Sequence, residues 1–166
     1  MLIFIICLFG MAVQVYHLGI VGTSKNVISK PNARKELISA INEIKEQIGE
    51  KEIVIVSGGG LVPYIAFDYA KHNDWKCIQV VCPRVGIREE VQRIEIGNTF
   101  GDERDTFLKM IDGLIRIGGG PQSHNEMSQF KILKPKAITI EKEVPLLPTS
   151  NRKYIPPKKN QKHKKK

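Results

Sequence analysis

Short apolar runs alternate with amphipathic segments along most of the chain. Four runs rich in Val and Ile each end in Gly, Ser or Pro, at residues 15–24, 52–60, 77–83 and 113–120. A fifth run at 136–141 lacks the terminal glycines. Strands that are apolar almost throughout are typical of a parallel sheet covered on both faces. The pattern therefore predicts parallel strands at these positions.

Four segments with a helical pattern separate or follow these runs, at residues 33–50, 63–73, 103–111 and 123–133. In the first of them one stripe is apolar and charged residues lie opposite, as in a helix with one buried face. The residues of the stripe are Leu37, Ile38, Ile41, Ile44 and Ile48. The second begins with Pro63, which suits a first helical turn because its missing N–H has no acceptor there. Strand and helix alternate from residue 15 to residue 141. We therefore predict a single α/β domain with a Rossmann-like parallel sheet flanked by helices.

The positive charge of the chain is concentrated at its C-terminal end. The formal net charge is +9, but the residues from Ser150 onward contain eight Lys or Arg and no acid. The rest of the chain carries a net charge of only +1. We predict that residues 146–166 form a disordered Lys-rich tail. Such a tail either only solubilises the domain or contacts nucleic acid or another anionic surface through its charge.

The N-terminal end is apolar, and no charged residue precedes Lys25. We interpret residues 1–14 as an apolar extension to the domain at 15–145, from an upstream start or as a buried extra strand. The alternative is a membrane-associated segment at 1–13, although a spanning helix needs about 20 apolar residues. The three cysteines have neither CxxC nor CxxH spacing. That favours a reduced, cytoplasmic compartment and predicts no metal site.

Candidate chemistry lies where three of the predicted strands end in glycine-rich loops. The loops are Gly22-Thr23-Ser24, Ser57-Gly58-Gly59-Gly60 and Gly118-Gly119-Gly120. In parallel sheets ligands bind beyond the carboxyl ends of the strands, and a following helix N-terminus offers free N–H groups to a phosphate. We therefore predict an anionic, nucleotide-like ligand; the alternative is that the glycines only permit tight turns. The patterns GxxxxGK[ST] and GxGxxG are absent from the sequence, which disfavours a generic ATPase or dinucleotide dehydrogenase, and no cofactor is predicted.

The segment 118–126, GGGPQSHNE, resembles the PGGxGTxxE motif of the LONELY GUY-type family. The wider superfamily includes the Rossmann-like domain of DNA-processing protein A, and the resemblance covers roughly residues 16–141. It implies a phosphoribohydrolase that cleaves the N-glycosidic bond of nucleoside 5′-monophosphates, or a protein that binds a nucleotide-derived ligand without turnover. It also implies a homodimer.

Carried over to this chain, the motif's glutamate, threonine and paired glycines are Glu126, Ser123, Gly119 and Gly120. Arg104 corresponds to the arginine that precedes the motif in the family, with a spacing about one residue different. Gln122 replaces the third glycine. The replacement puts a side chain where the backbone would approach the phosphate, which leaves turnover open.

These residue types fit cleavage of an N-glycosidic bond. The bond breaks through an oxocarbenium-like state, which a carboxylate beside the ribose stabilises. Glu126 would supply that carboxylate and orient water, while Arg104 would hold the phosphate or a ribose hydroxyl. Two structural alternatives stay open. Ser123 and Glu126 also have the spacing of a capping box, and Arg104 could pair with a neighbouring acid such as Asp102. The alternative functions are a non-catalytic nucleotide sensor and a nucleic-acid-associated protein that uses the tail.

Overall fold

The computed structural model describes residues 13–25, 27–85 and 91–148. The predictions for the apolar N-terminal segment and for the Lys-rich tail therefore lie outside the described residues, apart from a few at the boundaries. The described strands are β1 (Val15–Gly22), β2 (Glu52–Ser57), β3 (Lys76–Val81), β4 (Gln92–Glu95), β5 (Gly113–Ile117) and β6 (Ile138–Lys142). The described helices are α1 (Lys30–Ile48), α2 (Leu61–His72), α3 (Arg104–Met110) and α4 (Pro121–Leu133).

The strands form one parallel sheet in the order β4-β3-β2-β1-β5-β6. The chain builds outwards from β1 to β4 on one side and then crosses back to place β5 and β6 on the other side. This reversal opens a crevice between the carboxyl ends of β1 and β5, which is where open α/β sheets bind ligands. The Rossmann-like parallel α/β fold predicted from the sequence is confirmed.

Helices cover both faces of the central strands. Side chains of α1 and α2 pack on one face with residues such as Ile20 and Ile115, which are fully buried. Side chains of α3 and α4 pack on the other face with residues such as Val56 and Leu114, which are also fully buried. Because successive strand residues point to opposite faces, both sets of positions must be apolar. This is the reason why the central strands appear as continuous apolar runs in the sequence.

Strand β4 is not predicted by the sequence pattern. It has four residues, lies at the edge of the sheet and pairs with β3. Three of its four side chains are polar, and none of the four is fully buried. An edge strand with so little buried surface needs no apolar run, so its sequence resembles that of a loop.

The folded chain continues two residues beyond the predicted domain boundary at residue 145. Val144 is buried in the core. The amide of Leu147 donates to the carbonyl of Val27 at 2.8 Å, and Leu146 forms an isolated antiparallel bridge with Ile28. The segment after β6 therefore packs against the β1–α1 loop. Within the described residues no helix combines the length and the apolar character that crossing a membrane requires.

Candidate functional site

A cavity of about 770 Å³ opens at the carboxyl ends of the strands, above the crevice between β1 and β5. Its walls are formed by the glycine-rich loops and by the first turns of α3 and α4. The predicted site residues that line it are Gly22, Thr23, Ser24, Gly58, Gly59, Gly60, Arg104, Gly119, Gly120, Gln122, Ser123 and Glu126. The structure thus brings together, around one space, residues that are up to 104 positions apart in the chain (Gly22 to Glu126).

Ser57 is the predicted site residue that does not line the cavity. It is fully buried at the end of β2, and its hydroxyl donates to the carbonyl of Ile20 in β1. Because β1 and β2 are neighbours, this bond ties the two central strands together beneath the loops. The role of ligand donor predicted for Ser57 does not fit this position, since the hydroxyl is already engaged inside the sheet.

The start of α2 is bonded to the β1–α1 loop. The amides of Leu61 and Val62 donate to the carbonyls of Ser24 and Thr23, at 3.3 and 3.1 Å. Gly60 has a φ of +124°, and a Cβ there would lie 2.7 Å from the Cα of Ser24. Glycine is therefore required for this close approach. Because two of the first amides of α2 bind protein carbonyls, they are not available to an anionic ligand.

The start of α4 has free amides. The amides of Gly119, Gly120, Gln122 and Ser123 have no hydrogen-bond partner among the residues that the structure describes. Gly118 and Gly119 adopt φ angles of +54° and +99°, which turn the chain sharply at the end of β5. Free N–H groups and the positive end of the helix dipole both attract anions. The start of α4 is therefore the better of the two helix N-termini for a phosphate.

The capping-box alternative for Ser123 and Glu126 is wrong. Helix α4 begins at Pro121 with Gly120 as its N-cap, so Ser123 lies inside the first turn. The hydroxyl of Ser123 donates to the Gly120 carbonyl at 3.0 Å. Glu126 does not reach back to the helix start, and its Oε1 instead accepts from Nε2 of Gln122 at 3.0 Å. The Glu126 carboxylate therefore remains at the cavity wall.

The environment of Glu126 makes it easier to protonate than an exposed glutamate. Burial raises the pKa of its carboxyl above the usual value, against the opposing effects of the hydrogen bond from Gln122 and of the positive charge of Arg104. The negative charge of Glu103 raises the pKa further. A carboxyl whose pKa is shifted in this direction binds a proton at a higher pH than an exposed glutamate does.

Arg104, the first residue of α3, has no hydrogen-bond or ion-pair partner for its side chain among the residues that the structure describes. Its Nε is buried without a hydrogen bond, and Arg104 takes part in none of the ion pairs between described residues. The neighbouring acids accept from backbone amides instead: Asp102 from Asn98 at 2.8 Å, and Glu103 from Gly101 at 3.0 Å. Pairing of Arg104 with these acids, the second structural alternative, is therefore not found. The guanidinium remains available to a ligand.

Arg116 organises the site and was not identified from the sequence. It lies on β5 with only 3% of its side chain exposed. Its guanidinium donates to the carboxylates of Glu141 (2.7 Å) and Glu143, and to the Gly118 carbonyl at 2.6 Å. Arg116 thus fixes the turn that leads into α4. The sequence did contain a signal for this role, because Arg116 is a charged residue inside the apolar run at 113–120. Burial of a guanidinium without polar partners would be very unfavourable, so its position indicates that such partners exist.

Further lining residues carry no recognisable motif: Lys25, Tyr64, Val85, Phe100, Glu103 and Leu146. Phe100 and Leu146 are 68% and 61% exposed, which gives the opening an apolar rim. Both belong to irregular segments that neither periodicity nor glycine content marks. No group of three or more His, Cys, Asp or Glu side chains that could hold a metal ion occurs within the described ranges.

Fold and cavity together define a Rossmann-like α/β protein with a ligand-sized site at the topological switch point of its sheet. The sequence matches no protein-family model, and a search of curated proteins finds no match. Among solved structures, the chain is similar to the X-ray structure of TM1055, a structural genomics target. The two are 18% identical with a TM-score of 0.56, over 71% of this chain and 69% of that one. This similarity shows a common fold.

Proposed function

We propose that the protein binds a nucleotide in the cavity at the carboxyl edge of the sheet, and that it hydrolyses the N-glycosidic bond of a nucleoside 5′-monophosphate. The observation that carries the proposal is the juxtaposition of Arg104 and Glu126. A partly buried guanidinium without a partner in the described part of the chain and a carboxylate of raised pKa line the same cavity, and the free amides at the start of α4 belong to its wall.

The phosphate would be bound by local groups, since the folded part of the chain is nearly neutral. The amides at the start of α4 can surround phosphate oxygens, as helix N-termini commonly do. The guanidinium of Arg104 adds a fixed, planar set of donors that matches a phosphate geometrically. Because the amides of Leu61 and Val62 are occupied, we expect preference for one phosphate group over a di- or triphosphate.

The base would occupy the apolar part of the cavity. Tyr64 and Phe100 offer aromatic surfaces, and Val85 adds an aliphatic one. A volume of about 770 Å³ lies within the range of about 300–1,000 Å³ that is typical of small-molecule sites. The cavity is thus large enough for phosphate, ribose and base together.

In the reaction, water would attack the anomeric carbon as the bond to the base nitrogen breaks. The bonding electron pair leaves with the base, and the base takes up a proton. Water supplies the hydroxyl of the ribose 5-phosphate product, so the equation balances with one water consumed. Glu126 would stabilise the positive charge on the sugar and accept the proton of the attacking water. The resemblance of residues 118–126 to the LONELY GUY-type motif supports this assignment.

One observation favours a second candidate, a sensor that binds a nucleotide-derived ligand without turnover. Gln122 stands where the motif has glycine, and its carboxamide occupies an oxygen of Glu126. A side chain at this position stands where the backbone of the motif would approach the phosphate, which favours binding without turnover. The homodimer that the resemblance implies, and contact of the tail with nucleic acid or another anionic surface, stay predictions.

The experiment is a panel of nucleoside mono-, di- and triphosphates, assayed by calorimetry for binding and by chromatography for released base. Arg104→Met should weaken monophosphate binding about 10- to 100-fold, as expected for a lost charge-assisted hydrogen bond. Glu126→Gln should retain binding and lose base release. Matched controls are Arg34→Met and Glu46→Gln, which change exposed residues of α1 outside the cavity.

The outcomes separate the candidates. Base release by the wild type supports the hydrolase, and tight binding without product supports the sensor. If no nucleotide binds, or if Arg104→Met binds as the wild type does, the proposed site is wrong.

A further inference from the structure

We infer that Gln122 is a positioning residue, whose carboxamide holds the carboxylate of Glu126 in one orientation at the cavity wall. The inference deepens the proposed function and rests on it, because it concerns how the carboxylate beside the ribose is fixed. It assigns a role to the position at which the sequence departs from the motif that it resembles.

Geometry carries the inference. Gln122 and Glu126 are four residues apart on α4, so their side chains lie on the same face of the helix. Nε2 of Gln122 lies 3.0 Å from Oε1 of Glu126, a normal hydrogen-bond distance. No other described residue donates a hydrogen bond to the Glu126 side chain. The orientation of this carboxylate therefore depends on Gln122.

The same bond opposes the other influences on Glu126. Burial of the carboxyl and the negative charge of Glu103 favour its protonated form. The N–H of Gln122 and the charge of Arg104 favour its ionised form. Arg104 and Glu103 both belong to the start of α3, which faces α4 across the cavity. Of the three residues that influence Glu126, Gln122 alone lies on the same helix and forms a hydrogen bond with its carboxylate.

Two consequences follow for a hydrolase. Without the carboxamide, Glu126 should be less often ionised and free to rotate away from the sugar. We expect a lower kcat, by about 10-fold or more, because hydrogen bonds to charged groups typically contribute this much. We expect little change in KM, since phosphate binding depends on Arg104 and on the free amides of α4.

The test compares Gln122→Ala and Gln122→Met with Asn125→Ala in the full chain. Asn125 is another exposed polar residue of α4 but does not line the cavity, so it controls for general effects on the helix. The Met variant keeps the length of the side chain without its donor. The main readout is the carboxyl pKa of Glu126 from a ¹³C NMR titration, assigned by the signal missing in Glu126→Gln. Gln122 is exposed, so these variants should fold, and thermal unfolding checks that they do.

We expect the pKa of Glu126 to rise in both Gln122 variants and to stay unchanged in Asn125→Ala. In a base-release assay the acidic limb of the pH–rate profile should move in the same direction. An unchanged pKa in either Gln122 variant would overturn the inference. The titration needs no ligand, so this result is distinct from a failure of the proposed function, which would appear as absence of nucleotide binding by the wild type.

Discussion

Replacement of Arg116 by methionine should destabilise the protein and loosen the start of α4. The guanidinium is 3% exposed and is bound by two carboxylates and by the Gly118 carbonyl. Methionine fills most of the volume of the aliphatic part of the side chain, so no large cavity is left. The perturbation is thus the loss of the polar contacts and little else.

The magnitude follows from what each partner loses. The buried Gly118 carbonyl is left without its donor, which costs about 1–3 kcal/mol. The carboxylates of Glu141 and Glu143 are 33% and 71% exposed and can regain water. The cost of about 3–5 kcal/mol for breaking a fully buried ion pair therefore does not apply to these two carboxylates. Each should contribute to the free energy of unfolding about as much as a surface ion pair, up to about 1 kcal/mol. We expect a loss of about 3 kcal/mol in the free energy of unfolding.

The assay is urea denaturation followed by the fluorescence of Trp75, the single tryptophan of the chain. It is partly buried and packs edge-on against Tyr69, with ring centres 5.6 Å apart, so unfolding should change its emission. The control is Lys131→Met, which removes the 2.6 Å ion pair with Glu141 but leaves Arg116 in place. Because Lys131 is half exposed, the free energy of unfolding of Lys131→Met should fall by less than about 1 kcal/mol. Equal losses in the two variants would refute the reasoning.

The difference in the free energy of unfolding between wild type and Arg116→Met should also depend on pH. Hydrogen bonds from Lys131 and Arg116 hold the pKa of the Glu141 carboxyl below its usual value, although burial acts against them. A carboxyl whose pKa is lower in the folded than in the unfolded chain stabilises the fold above the unfolded pKa and loses this effect at lower pH. The stability difference should therefore narrow as the pH falls below about 4.5. A difference that stays constant through this range would contradict the assignment.

Two further predictions concern the cavity wall. Gly119→Ala should lower the free energy of unfolding by about 1–3 kcal/mol, because position 119 has a φ of +99° and the new Cβ would clash with Ser123. The same variant should bind nucleotide more weakly. Gly120→Ala, with a φ of −108° and no atom within 4 Å of its Cβ, should unfold like the wild type; equal stability of the two variants would contradict this. Glu126→Gln should raise the midpoint of thermal unfolding near neutral pH. Burial raises the pKa of Glu126, so its ionised form opposes folding, and the gain should vanish below about pH 4.5. A lower midpoint for Glu126→Gln would show that the carboxylate stabilises the fold.

Much of the fold could be predicted because its central strands are buried on both faces. Residues such as Ile20 and Leu114 are buried on opposite faces of the sheet, so both must be apolar. The central strands therefore appear as continuous apolar runs, which a single sequence is enough to identify. Strand β4 leaves no such signal, since an edge strand is stabilised by backbone pairing with one neighbour. The beginning of α1 was predicted at residue 33 but lies at Lys30, because Ser29 caps the helix and Pro31 occupies its first turn.

The site was predictable where it depends on backbone and unpredictable where it depends on distant partners. Glycines mark the loops, because close backbone approach excludes other residues. Whether Ser57 faces the cavity depends on the carbonyl of Ile20, which lies 37 positions away in the chain. Ser123 does not cap α4, because Pro121 occupies the first helical position and the helix therefore begins two residues before Ser123. The position of Ser57 is decided by a tertiary neighbour that spacing in the sequence does not encode, whereas the start of α4 follows from a local signal, proline at the first helical position.

The same distinction separates loops of nearly identical composition. The loops after β2 and β5 both present glycines before a helix, and both were predicted to bind an anion. Two of the first amides after Gly60 are taken by carbonyls of the β1–α1 loop, whereas those around Gly120 have no partner among the described residues. An anion at the start of α2 could use the amides of Leu61 and Val62 only by displacing these hydrogen bonds, but at the start of α4 the amides of Gln122 and Ser123 are free donors. The loop after β2 therefore shapes the cavity, and the loop after β5, with Arg104 facing it, is where a phosphate gains most.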